Sequence, residues 1–197
     1  MPVPTARERI FDVAKRLFYR DGLRATGIDR IIAESGVAKM SLYRNFASKN
    51  ALIAAFLAWR HEEWMAMFSA SVETHLARGD GLAALAGALD DWFSQEDFRG
   101  CAFINAVAES GADEEPHLLQ AALSHKAALQ AMIFGLAQRL GLDGPQQVAE
   151  EAMLCVEGMI VRAQMGRDAA IVRAGRRLLA RIERDARPAN ATLEISD

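Results

Sequence analysis

The sequence predicts an all-α protein of about nine helices, with a small three-helix unit at its N-terminus followed by a larger helical body. Apolar residues recur at helical spacing through nearly all 197 residues, with no stretch of strand-like alternation. Apolar residues make up 51% of the chain and only five are Pro, so a packed helical core is affordable and disorder is not expected. Gly- and Pro-containing breakers divide the pattern into helix-length segments.

Taken in order, Thr5 with Glu8 three residues on forms a capping box for a first helix. Ile10, Val13, Ala14, Leu17 and Phe18 share its inner face, and Asp21-Gly22 stops it. Thr26 is expected to open and cap a short second helix, with Asp29 at the favourable end of its dipole and Ile28, Ile31 and Ile32 turned inward. Ser35-Gly36-Val37 makes a turn into a third short helix over residues 39–45, which Phe46 ends. Ser48 caps a long fourth helix running to about residue 78. Further helices are expected over residues 82–95, 101–110, 116–140, 146–165 and 169–185. An acidic loop over 111–116 and a break at 141–145 lie between them, Pro145 suiting a first helical turn. The expected organisation is 1–47, 48–187 and a polar tail over 188–197.

Charge is unevenly placed. Residues 1–60 carry a net +6 and the remainder a net −9, so a basic head sits on an acidic body. That distribution points the head towards a polyanion. The two cysteines, Cys101 and Cys155, lie far apart in apolar helical stretches without zinc spacing, as expected of a reduced cytoplasmic protein. No cofactor or metal is expected. Neither a secretory leader nor a membrane span is visible.

Segment 26–46 reads TGIDRIIAESGVAKMSLYRNF. Two short helices about a Gly turn, bound together by Ile28, Ile31, Ile32, Val37 and Leu42, hold the second helix at a steep angle with its outer face free. That face carries Lys39, Met40, Ser41, Tyr43, Arg44 and Asn45. Arg and Asn can read guanine and adenine edges, and Tyr and Lys commonly hold phosphate. The string resembles the DNA-binding signature of TetR-family regulators, with Thr26, Ile31, Gly36, Val37, Leu42, Tyr43, Phe46, Ser48, Lys49 and Leu52 in register. The resemblance implies phosphate contacts from Tyr43 and Lys49, a cap and backbone contact from Thr26, and base contacts from Lys39, Met40, Ser41 and Arg44. Two positions depart from the pattern: Ala38 replaces a frequent Ser cap, and Met40 replaces a frequent Gly. Met40 either meets a thymine methyl or fills space.

The same resemblance implies a homodimer bound to a double-stranded, palindromic operator, and release by a small, mostly apolar effector. The last two helices are the expected interface, through Met153, Val156, Ile160, Ile171, Leu178, Leu179 and Ile182. Expected pocket residues are Trp64, Phe68, Trp92, Cys101, Phe103, Asn105, Met132, Met153 and Glu157, because Met and aromatics suit an adaptable apolar cavity and isolated polar groups need partners. An enzyme is not expected: His61, His75, His117 and His125 form no catalytic or metal-binding spacing. The alternative kept open is a thiol redox-sensing regulator using Cys101 and Cys155. No residue pattern separates repression from activation.

Overall fold

The computed structural model describes residues 3–110 and 116–188. Within them lie nine α-helices and no strand: α1 Ala6–Asp21, α2 Ile28–Ser35, α3 Lys39–Asn45, α4 Lys49–Leu76, α5 Ala84–Phe93, α6 Ala102–Ser110, α7 Pro116–Arg139, α8 Pro145–Met165 and α9 Ala169–Asp185. The expected acidic loop and polar tail fall almost wholly outside the described residues. The fifth helix is shorter than its apolar pattern, because a 3-10 turn at Gly81–Ala83 takes up its first residues.

Local chemistry accounts for most helix ends. The Thr5 hydroxyl accepts from the Glu8 amide at 3.2 Å, while the Glu8 carboxylate accepts from the Thr5 amide at 2.7 Å. Ser48 Oγ accepts from the Ala51 amide at 3.1 Å at the start of α4. Pro145 stands in the first turn of α8, and Asp168 caps α9 through the Ala170 amide at 2.8 Å. Thr26 behaves differently from expectation. Gly27, not Thr26, is the N-cap of α2, with no side-chain cap bond. Thr26 is fully buried, and its hydroxyl donates to the Gly22 carbonyl at 2.7 Å, closing the α1–α2 loop. A buried hydroxyl needs such a partner, and this one spends its proton on the loop.

The chain packs as two compact units: residues up to Glu63 with 101–125, and 64–100 with those from Lys126. The start of α4 belongs to the first unit because Leu52, Ile53, Phe56 and Leu57 are buried, with the Phe56 ring 5.7 Å from that of Phe18 on α1. A division at residue 47 would cut through this core.

In the second unit, Trp64, Phe68, Trp92 and Phe98 form a buried aromatic cluster, Trp64 stacking on Phe68 at 4.6 Å and meeting Trp92 edge-on at 5.2 Å. Helix α8 packs on α5 and α9. The buried carboxylate of Glu183 on α9 accepts from the Leu82 amide at 2.6 Å, supplying the 3-10 turn with a partner its own backbone lacks. No described helix is long and apolar enough to cross a membrane.

Candidate functional site

Gly36 makes the turn between α2 and α3 possible. Its φ of 63° lies in the left-handed region, which a side chain would strain, and its amide closes α2 on the Ile32 carbonyl at 3.1 Å. Helix α3 then seats Leu42, which is fully buried, and leaves Lys39, Met40, Tyr43 and Arg44 exposed. Met40 is 67% exposed, so it fills no interior space. Ser41 and Asn45 are half-buried, and the Asn45 amide donates to the Ser41 carbonyl at 2.8 Å. That bond leaves Asn45 poorly placed to read adenine with both amide atoms. As Ala38 implies, α3 has no side-chain cap.

Sequence reasoning missed the group that locks this helix. Arg7, at the start of α1, donates to the Asn45 carbonyl at 2.8 Å and lies over the Phe46 ring at 4.4 Å. Its guanidinium thus satisfies a carbonyl at the C-terminus of α3, where a cation is favoured. The signal in the sequence was only a basic residue in a basic segment. Lys39 forms an exposed pair with Asp29 at 3.4 Å, an interaction of little strength that a phosphate could replace. Behind the face, Arg30 bridges Asp21 and Glu34, and Arg16 meets Glu34 at 2.6 Å. The hydrogen bond from Arg20, with help from Arg30, holds the Asp21 carboxyl down to about 2. Lys49 sits half-buried at the first turn of α4.

Within the same unit lies a cavity of about 260 Å³ between the start of α4, α6 and the start of α7. Ala54, Leu57, Ala58, His61, Phe103, Leu118, Ala121 and His125 contribute to its wall. Of the nine residues expected to line a pocket, only Phe103 does so here. Trp64, Phe68 and Trp92 are instead spent on the aromatic cluster of the second unit. Met132 accepts from the Ser69 hydroxyl at 3.3 Å, Glu157 pairs with Lys126 at 3.1 Å, and Met153 and Asn105 are half-buried off this wall. Cys101 is buried, and burial pushes the half-buried Cys155 thiol up, away from the reactive thiolate.

Helix α6 touches both the cavity and the head. Phe103 lines the cavity, and one helix length on, the Glu109 carboxylate accepts from the Arg24 amide in the α1–α2 loop at 2.9 Å. Among the described residues no group of His, Cys, Asp and Glu is arranged to hold a metal.

The expected dimer residues divide by burial. Val156, Ile160, Ile171 and Leu179 are covered by their own chain, while Met153 and Ile182 are half-buried and Leu178 is 53% exposed. The apolar residues left outside on α8 are Leu154 at 73%, Val161 at 41% and Met165 at 79% exposure. These exposed residues lie on a second face of α8, since the helix is apolar on two faces and the inner one is used by α5 and α9.

A basic three-helix head that presents one short helix on a glycine turn defines a helix-turn-helix protein. The family model for bacterial regulatory proteins of the tetR family matches residues 10–56. Over 113 residues the chain is 32% identical to the HTH-type transcriptional regulator LmrA of Bacillus subtilis (strain 168), spanning 56% of this chain and 60% of LmrA, less than two thirds of that relative. The solved structure of SCO4454, a TetR-family transcriptional regulator from Streptomyces coelicolor, is similar with a TM-score of 0.80 at 29% identity, covering 92% of this chain and 95% of that one. The sav143 protein of Streptomyces avermitilis is similar with a TM-score of 0.73 at 27% identity, covering 93% and 100%. The family match over 10–56, the LmrA relative and the shared fold together support a TetR-family transcriptional regulator.

Proposed function

We propose that the chain is a homodimeric repressor that grips a palindromic operator through α3 and releases it when a small, mostly apolar ligand occupies the cavity. The observation that carries the reading is the continuous path through α6, from Phe103 on the cavity wall to Glu109 on the Arg24 amide. A ligand that fits the cavity better in one setting of α6 than in another would shift the head with it. Only that difference in affinity can release DNA. Two heads per dimer, about one turn of DNA apart, would read two half-sites.

The second copy is expected to cover Leu154, Val161 and Met165 of α8 with Leu178 of α9. These α8 residues follow one another at helical spacing on one face, with exposed Gly158 between them allowing close approach. A catalytic role has no comparable support. The thiol-sensing alternative is also weaker, because burial acts against the Cys155 thiolate.

Selection of bound duplexes from a random DNA pool, at a stated salt concentration, tests the reading. A consensus with two inverted half-sites is expected, and enrichment of none would overturn it. On the selected site, Arg44→Ala should cost about 1–3 kcal/mol and relax preference at one base position. Tyr43→Phe should weaken operator and random DNA alike, since a phosphate contact carries no sequence information. Equal losses on both DNAs for Arg44→Ala would remove its base-reading role.

A further inference from the structure

Two histidines from different helices meet in the cavity wall. His61 of α4 and His125 of α7 place their Nδ1 atoms 3.0 Å apart, with the rings edge-on at 5.3 Å. His125 is 3% exposed and stacks on Phe103 of α6 at 4.0 Å, which fixes its plane. At this distance one Nδ1 must donate and the other accept, so the pair holds at most one net positive charge. When that charge is present and His125 accepts at Nδ1, His61 carries protons on both of its nitrogens. His61 Nε2–H then becomes a charge-assisted donor.

The rest of the described lining narrows what such a donor can serve. The other residues are Ala54, Leu57, Ala58, Phe103, His117, Leu118, Ala121 and Ser124, with no Asp, Glu, Lys or Arg among them. Among the described lining residues a cation finds no carboxylate, and a multiply charged anion finds no guanidinium or ammonium. Among the described lining residues, the titratable groups near His61 are His125 and His117 of α7, and α6 contributes Phe103. On α4 itself, Arg60 lies over the Tyr19 ring at 4.1 Å, while Glu62 and Glu63 are exposed.

We infer that the cavity takes an apolar or aromatic weak acid, bound as its monoanion on His61, with one proton taken from solvent into the His61–His125 pair. His125 is the positioning residue that sets which nitrogen of His61 is free to donate. The inference rests on the proposed reading of the cavity as the effector site, and it specifies the effector's chemistry. Uptake of that proton on binding requires binding to weaken as pH rises.

Isothermal titration of the full chain with 1-naphthoate, and with 1-naphthamide as the neutral counterpart, tests this. In buffers of different ionisation enthalpy, uptake of about one proton per naphthoate is expected, with Kd rising about tenfold per pH unit above neutrality. Naphthamide should bind without uptake or pH dependence. His61→Gln should abolish both the uptake and the preference for the acid. Naphthoate that fails to bind, binds without proton uptake, or binds no better than the amide at pH 6 would overturn the inference, as would an unchanged His61→Gln variant. Operator binding in the same samples separates the two readings. Naphthoate binding with proton uptake while DNA stays bound upholds this inference and overturns ligand release. DNA release without proton uptake does the reverse.

Discussion

Replacing Leu154 and Met165 together by Glu is expected to leave a folded monomer whose affinity for the selected operator has fallen by roughly a thousandfold or more. Both side chains lie on the outer face of α8, 73% and 79% exposed, so their loss removes nothing from the core of their own chain. In a dimer they would be desolvated against the partner's copies of themselves, where four carboxylates would meet without counter-charges. A monomer offers one head to a two-half-site operator, and the gap between specific and non-specific binding is about 10³–10⁷. Sedimentation equilibrium reads the mass, fluorescence anisotropy reads the DNA, and circular dichroism reads the fold. Val156→Glu is the contrasting variant. Its side chain is fully buried in the single chain, so it should fail by unfolding and not by dissociation. A double variant that remains a dimer would show that this face is not the interface.

Gly87→Ala is expected to cost about 2–3 kcal/mol, far more than a glycine-to-alanine change inside a helix, which ordinarily stabilises. A Cβ at Gly87 would stand 2.5 Å from His75 Nδ1 and 2.6 Å from its Cε1. The ring is not free to retreat. His75 Nδ1 meets Asp80 at 3.2 Å, and Nε2 meets Asp91 at 3.1 Å. Asp80 is also held by Arg176 at 3.3 Å, and Asp91 accepts from the Ser71 hydroxyl. This clamp ties α4, α5 and α9 together through a nearly buried imidazole. His75→Ala alone should cost about 2 kcal/mol, kept modest because the carboxylates are partly solvent-screened. In that background Gly87→Ala should cost under about 1 kcal/mol, since the ring it strikes is gone. Chemical denaturation of the four proteins closes the cycle. Additive costs would refute the steric account.

The same clamp has a pH signature. Burial pushes the carboxyls of Asp80 and Asp91 up. Hydrogen bonds outweigh it, from His75 and Arg176 to Asp80 and from Ser71 and His75 to Asp91, so both end below the ordinary carboxylate value. A lowered folded value means that the stabilisation is complete above the ordinary range and is lost as pH falls through the lowered one. The stability gap between the native chain and His75→Ala should therefore be larger at neutral pH than at about pH 3.

Much of the fold was legible because its cues are local. Helix caps, glycine stops and the 3.6-residue period each act within a few residues, and α3 and α9 begin and end where the sequence places them. The outer face of α3 was legible for the same reason. Thr26 was misread because a hydroxyl three residues before a carboxylate looks the same whether it caps a helix or, as here, ties down a loop. The cavity between α4, α6 and α7 was not legible because its wall is assembled from residues distant in the chain. His61 and His125 are 64 residues apart, and in the sequence each is one histidine on a helix. Meanwhile the aromatics that looked suited to a ligand were consumed by one another.

By itself, then, the sequence determined the helices, their order and the helix-turn-helix with its exposed outer face, since those follow from periodicity and capping. Tertiary structure alone decided which apolar stripe of α8 turns inward, which groups meet at the cavity, and that Arg7 rather than a cap residue secures α3. The physical reason is that periodicity specifies a face but not its partner. Leu154 and Val156 are equally apolar in sequence, and only the packing of α5 and α9 leaves the one exposed and the other buried.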